Sequence, residues 1–109
     1  TEGRVRFIVP DLFWAEFANI LWKAVRQRRC TKADGHAAIA SMRDRHLPTV
    51  PSATLIEDAF TIATAFGRTV YDGVYVALAI SSNAQLVTAD ERLANALAAQ
   101  LPVKWLASV

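Results

Sequence analysis

The sequence predicts an α/β domain with a small parallel sheet, and three observations carry that expectation. Helical patterns alternate with short apolar runs late in the chain, the order in which βαβ units are written. The stretch Thr69–Asp90, TVYDGVYVALAISSNAQLVTAD, reads as helix, turn, strand and an acid where the strand runs out. The 109 residues, 53% of them hydrophobic, suit a single domain over residues 1–109.

Each element has its own local reason. Thr1 to Val9 reads as a linker ending in the apolar run Phe7-Ile8-Val9. Pro10 stops it, and Asp11 is placed to cap a helix from Leu12 to about Arg29. That helix is apolar nearly all round, through Phe13, Trp14, Phe17, Ile20, Leu21, Trp22 and Val25, which predicts burial on most sides. Glu16 and Asn19 are the exceptions, three apart and therefore on one face. Thr31 and Asp34 form a capping-box pattern for a second helix that ends near His46. Pro48-Thr49-Val50-Pro51 is extended, an edge strand at most. Thr54 and Glu57 form another capping-box pattern, and the helix they open ends at Gly67, a natural left-handed terminator. After the Thr69–Asp90 stretch come a short helix, Leu93 to Ala99, and a final strand, Val103 to Leu106.

Composition excludes several function classes. No apolar run is long enough to cross a bilayer, so no membrane association is expected. Cys30 is the only cysteine, which rules out an internal disulfide framework and a thiolate zinc cluster. With no export signal in view, a cytoplasmic protein is expected. There is no Gly-rich phosphate loop and no G-x-S-x-G elbow. The net charge of +2 is unevenly spread. Lys23, Arg26, Arg28, Arg29 and Lys32, with Arg43, Arg45 and His46 further on, make the first half basic. Such a cluster suits a polyanion, and equally suits solvated helix ends favoured by the dipole.

Three acids stand out. Asp72 lies in a capping-box pattern with Thr69, and Asp90 sits within another, Thr88 to Glu91, so each has a local structural reading. Glu16 lies inside the greasy first helix, with no Lys or Arg at positions 12, 13, 19 or 20 to pair it. Three carboxylates brought together would repel and raise one another's pKa values, a penalty that a divalent cation removes. All-oxygen ligands select Mg²⁺ or Mn²⁺ over zinc. A site of that kind activates water and neutralises charge in phosphodiester hydrolysis, with the basic cluster holding the substrate backbone.

At these residues the chain resembles a known family. Pro10-Asp-Leu-Phe-Trp-Ala-Glu16-Phe-Ala-Asn19-Ile-Leu is similar to the second-helix motif of PIN-domain proteins, VapC-like toxins in particular. Tyr71-Asp72-Gly-Val-Tyr-Val-Ala-Leu-Ala79 resembles their YDA-x-Y-x-A-L-A segment, with Gly73 in place of the usual alanine. Leu86-Val87-Thr88-Ala89-Asp90-Glu-Arg-Leu93 resembles their L-V-T-x-D-x-x-L segment. The motifs occur in the family's order.

The resemblance implies a three-layer α/β/α sandwich around a parallel sheet. It implies metal-dependent endoribonuclease activity with Mg²⁺ or Mn²⁺ on structured RNA such as tRNA or rRNA. Glu16, Asp72 and Asp90 would be the metal-binding acids, and Thr88 the pocket hydroxyl that orients water or a ligand. A homodimer and a cognate antitoxin covering the site are implied as partners. The family opens with a strand bearing a further acid, then a helix. Thr1 to Val9 matches only the linker after them, and Glu2 does not match that acid. The expectation is therefore a shortened sheet, filled by another chain, by a separate fragment, or left gapped; a further reading is a structural fragment that folds only by exchanging elements with a copy of itself. The alternative is an inert PIN scaffold that binds protein or RNA without cutting.

Overall fold

A computed structural model describes residues 7–83 and the backbone of 86–88 and 103–105. The chain divides between Val50 and Pro51 into two compact units.

In the first unit, strand β1 (Val9–Pro10) pairs in parallel with β2 (Thr49–Val50). Parallel strands need a long crossover, and helices α1 (Leu12–Arg26) and α2 (Lys32–Arg43) provide it. The expected linker thus ends in a strand. Its ladder bonds run from the Val9 amide to the Pro48 carbonyl at 3.0 Å and from the Asp11 amide to the Val50 carbonyl at 2.9 Å. Pro10 sits between them, so its missing N–H falls on the side away from β2, where a proline is tolerated.

Three expectations for α1 are corrected. No residue of the helix is buried, and Ile20 and Trp22 are 61% and 52% exposed. The large side chains instead pack on one another: Phe13 meets Trp14 edge-on at 5.3 Å and stacks on Phe17 at 5.8 Å. Asp11 stands at the N-cap but in helical conformation, with no side-chain cap bond. The helix also stops at Arg26, three residues early, because Arg28 adopts a left-handed φ of 59°. The Arg28 amide then donates to the Val25 carbonyl at 3.0 Å and the Arg29 amide to the Ala24 carbonyl at 2.8 Å. That is the Schellman pattern, with arginine where glycine is usual.

The capping box of α2 forms as expected. The Asp34 amide donates to the Thr31 hydroxyl at 3.1 Å, and the Thr31 amide donates to the Asp34 carboxylate at 2.9 Å. Helix α2 ends at Arg43, followed by a turn in which His46 takes a φ of 50°.

The second unit opens with a 3-10 turn, Ser52–Leu55, that runs into α3 (Ile56–Phe66). Thr54 lies inside that turn and does not cap α3; its hydroxyl donates to the Pro51 carbonyl at 2.7 Å. Extended Pro51 starts the turn earlier than the Thr54–Glu57 pattern suggested, and the N-cap position falls to Leu55. Gly67 ends α3 at φ 66°, as expected. Helix α4 (Val70–Ser81) packs on α3, and the buried residues are small: Ala59 and Ala63 on α3, Gly73, Val74, Val76, Ala77, Leu78 and Ala79 on α4. The approach is tightest at Gly73. A Cβ there would drive into the Ala59 carbonyl oxygen and lie 3.0 Å from the carbonyl carbon. Asn83, at φ 51°, turns the chain out of α4, a conformation that asparagine adopts readily.

Strand β3 (Leu86–Thr88) pairs in parallel with β4 (Val103–Trp105), in register Leu86 to Val103 and Thr88 to Trp105. The helix expected at Leu93 to Ala99, and Leu106, lie outside the described residues. Helices with parallel strand pairs make this an α/β chain. None of the described helices is long and apolar enough to cross a membrane.

Candidate active site

Asp72 is the best-defined of the candidate acids. It stands in the first turn of α4, where the helix dipole favours a negative charge. The Thr69 hydroxyl accepts from the Asp72 amide at 3.1 Å, so half of the capping box predicted for this turn is seen. The carboxylate itself meets Arg68, whose Nε donates to Oδ2 at 3.3 Å. Arg68 is held by its own amide, which donates to the Ala63 carbonyl at 3.0 Å. The Asp72 side chain is 29% exposed. A pair this accessible adds at most about 1 kcal/mol of stability; its larger effect is to aim the carboxylate. Oδ1 makes no hydrogen bond among the described residues. Asp72 therefore presents one anchored oxygen and one open oxygen.

Arg68 escaped the sequence reading. It precedes the N-cap of α4, outside any helical pattern. The signal was present: an arginine four residues before an aspartate is a favourable spacing for an ion pair.

Glu16 lies midway along α1, half-buried and engaged with a neighbour. Glu16 is not an acid trapped in a buried helix, because α1 contains no buried residue. Glu16 and Asp72 belong to different compact units, and each is described within its own. Thr88 ends β3 opposite Trp105 in backbone register. Asp90 lies outside the described residues. Among the described residues, no group of three or more acids, histidines or cysteines is gathered as a metal site. The basic residues singled out from sequence, Lys23, Arg26, Arg28, Arg29, Lys32, Arg43, Arg45 and His46, are all exposed.

The PIN domain family model matches residues 2–97. The chain belongs to the PIN-domain family. It is a VapC-like member: it is 36% identical over 98 residues to a VapC ribonuclease of Mycobacterium bovis and, equally, to ribonuclease VapC9 of Mycobacterium tuberculosis. Those alignments cover 90% of this chain and 76% of each relative. Ribonuclease VapC3 of Pyrobaculum aerophilum is 34% identical over 87 residues, covering 78% of this chain and 66% of that protein. The PIN-domain assignment accords with the helices and parallel strand pairs described above, and it gives the family motif around Asp72 a structural setting.

One detail of that motif takes on weight. This PIN domain carries glycine beside the acid where the family motif has alanine, and the structure gives the reason: α4 meets the Ala59 backbone at that position with no room for a methyl group. The exchange is thus coupled to the helix spacing, and is larger than its single methyl suggests.

Proposed function

We propose that this PIN domain is a metal-dependent endoribonuclease of the VapC toxin type. The observation that carries the reading is the Asp72 carboxylate, half-exposed at the start of α4 with one oxygen held by Arg68 and the other open. It stands in a motif shared with a family whose similar members are named as ribonucleases.

The proposed acid set is Glu16, Asp72 and Asp90, which offers hard oxygen donors suited to Mg²⁺ or Mn²⁺. When bound, such an ion lowers the pKa of water and neutralises charge at the scissile phosphate. The chain's own groups do the rest. Arg68 fixes the direction of the Asp72 carboxylate. The N-terminus of α4 favours a nearby phosphate through its dipole. Thr88 is assigned the hydroxyl that orients water. The exposed cations on the first unit hold the RNA backbone. The proposed substrate is structured RNA such as tRNA or rRNA. The proposed partners are a cognate antitoxin and a second copy of the chain, with element exchange as one way to pair, in the cytoplasm.

Cleavage of a structured RNA in Mn²⁺ tests the reading. Asp72→Asn and Asp90→Asn should each abolish cleavage. Arg68→Ala should reduce it about tenfold, the usual effect of losing a group that orients a ligand. Cleavage that survives both aspartate substitutions removes the metal-acid mechanism.

A further inference from the structure

Within the first unit, α1 and the end of α2 enclose a groove of about 320 Å³. Its floor is Trp14, Phe17, Ile39 and Leu47, and its rim carries Arg43 and His46. Among the described residues, no carboxylate lines it. From sequence, these aromatics read as core, and these cations as either a polyanion-binding cluster or solvated helix ends. The structure joins them in one concavity.

The aromatic floor is fixed in place. Trp14 Nε1 donates to the Thr49 hydroxyl at 3.1 Å, and that hydroxyl donates to the Leu47 carbonyl at 3.0 Å. The indole donor is thus consumed, leaving the ring to offer apolar contact. Phe17 is held in a near-parallel stack on Phe13, 14° between planes. The backbone beneath the rim is held as well. The His46 amide donates to the Arg43 carbonyl at 3.1 Å, in the turn where His46 takes its left-handed conformation. The matching ligand is a flat apolar-faced ring carrying an anion. A nucleotide of single-stranded RNA has that form, and stacking on aromatic side chains beside basic groups is how such strands are held.

We infer that this groove seats one unpaired nucleotide of an RNA substrate, the base against Phe17 and Trp14 and the phosphate on Arg43 and His46. The inference rests on the ribonuclease reading for the choice of polymer. It concerns binding, so it is tested without cleavage.

The probe is a fluorescein-labelled single-stranded RNA of twelve mixed nucleotides, followed by anisotropy in EDTA; an abasic strand of equal length is the control. Phe17→Leu keeps apolar volume and removes the ring. It should weaken RNA binding about tenfold, within the range for one base–aromatic stack, and leave the abasic strand unaffected. Arg43→Ala, at an exposed position, should weaken both strands and reduce the salt slope by about 0.7, one single-strand phosphate contact. Unchanged RNA affinity in both variants overturns the inference. Equal weakening of RNA and abasic strand by Phe17→Leu overturns the base seat. These readouts need no metal. Cleavage that survives the Asp72 and Asp90 substitutions would sink the nuclease mechanism while leaving the groove standing.

Discussion

Helix α1 brings Phe13, Trp14, Phe17, Ile20 and Trp22, and buries none of its residues. Helix α4 brings Gly73, Val74, Val76, Ala77, Leu78 and Ala79, and buries all six. The difference shows that the amount of apolar carbon does not decide where a core forms. Small side chains on α3 and α4 let two backbones approach closely, and density follows. Large aromatic side chains on α1 hold neighbours apart and pack on one another, leaving grooves.

The sharpest way to break this contrast is a paired truncation. Leu78→Ala should cost about 3 kcal/mol, the transfer term plus a cavity. Ile20→Ala should cost less than about 0.5 kcal/mol, as exposed positions usually do. Urea melts of both variants check the pair. An Ile20→Ala loss as large as that of Leu78→Ala would mean that the outer face of α1 is covered in solution. Next in size is Gly73→Ala. Alanine gains about 1 kcal/mol in helix propensity, but overpacking against the Ala59 backbone should outweigh it, for a net loss of about 1–2 kcal/mol. A neutral or stabilising result would refute the close approach.

Much of the local structure was legible in the residues. Thr31 with Asp34, Gly67, and the Thr69 cap all act as their patterns indicate, because each rests on contacts within four residues. What failed depended on longer range or on a competing local choice. The aromatic run of α1 specifies a helix apolar nearly all round, but not whether anything covers it. Thr54 lost its cap to Pro51, which began the turn sooner. Arg28 ended α1 without glycine, a conformation that no pattern of side chains announces. Asp72 was readable as a helix-start residue, whereas Arg68 was missed because it lies between two helices.

Two smaller tests probe the helix ends. Arg28→Gly should stabilise the first unit by about 1 kcal/mol, the strain of a left-handed non-glycine residue, read as a rise in the urea midpoint. Thr31→Ala should lower the melting temperature by about 4 °C through loss of the cap. The Asp34 carboxyl is held below 3.8 by its bonds from the Thr31 amide and then the hydroxyl. Its contribution is therefore full above that value and disappears as pH falls through the lowered one. The advantage of the native protein over Asp34→Asn should fade over that same acid range.

The contact between Gly73 and Ala59 is made by main chain on the α3 side. Position 73 can vary only toward something larger. Asp72, one residue away, thus rests against a mechanical stop: its location along the helix pair is fixed by backbone, and its aim is left to Arg68.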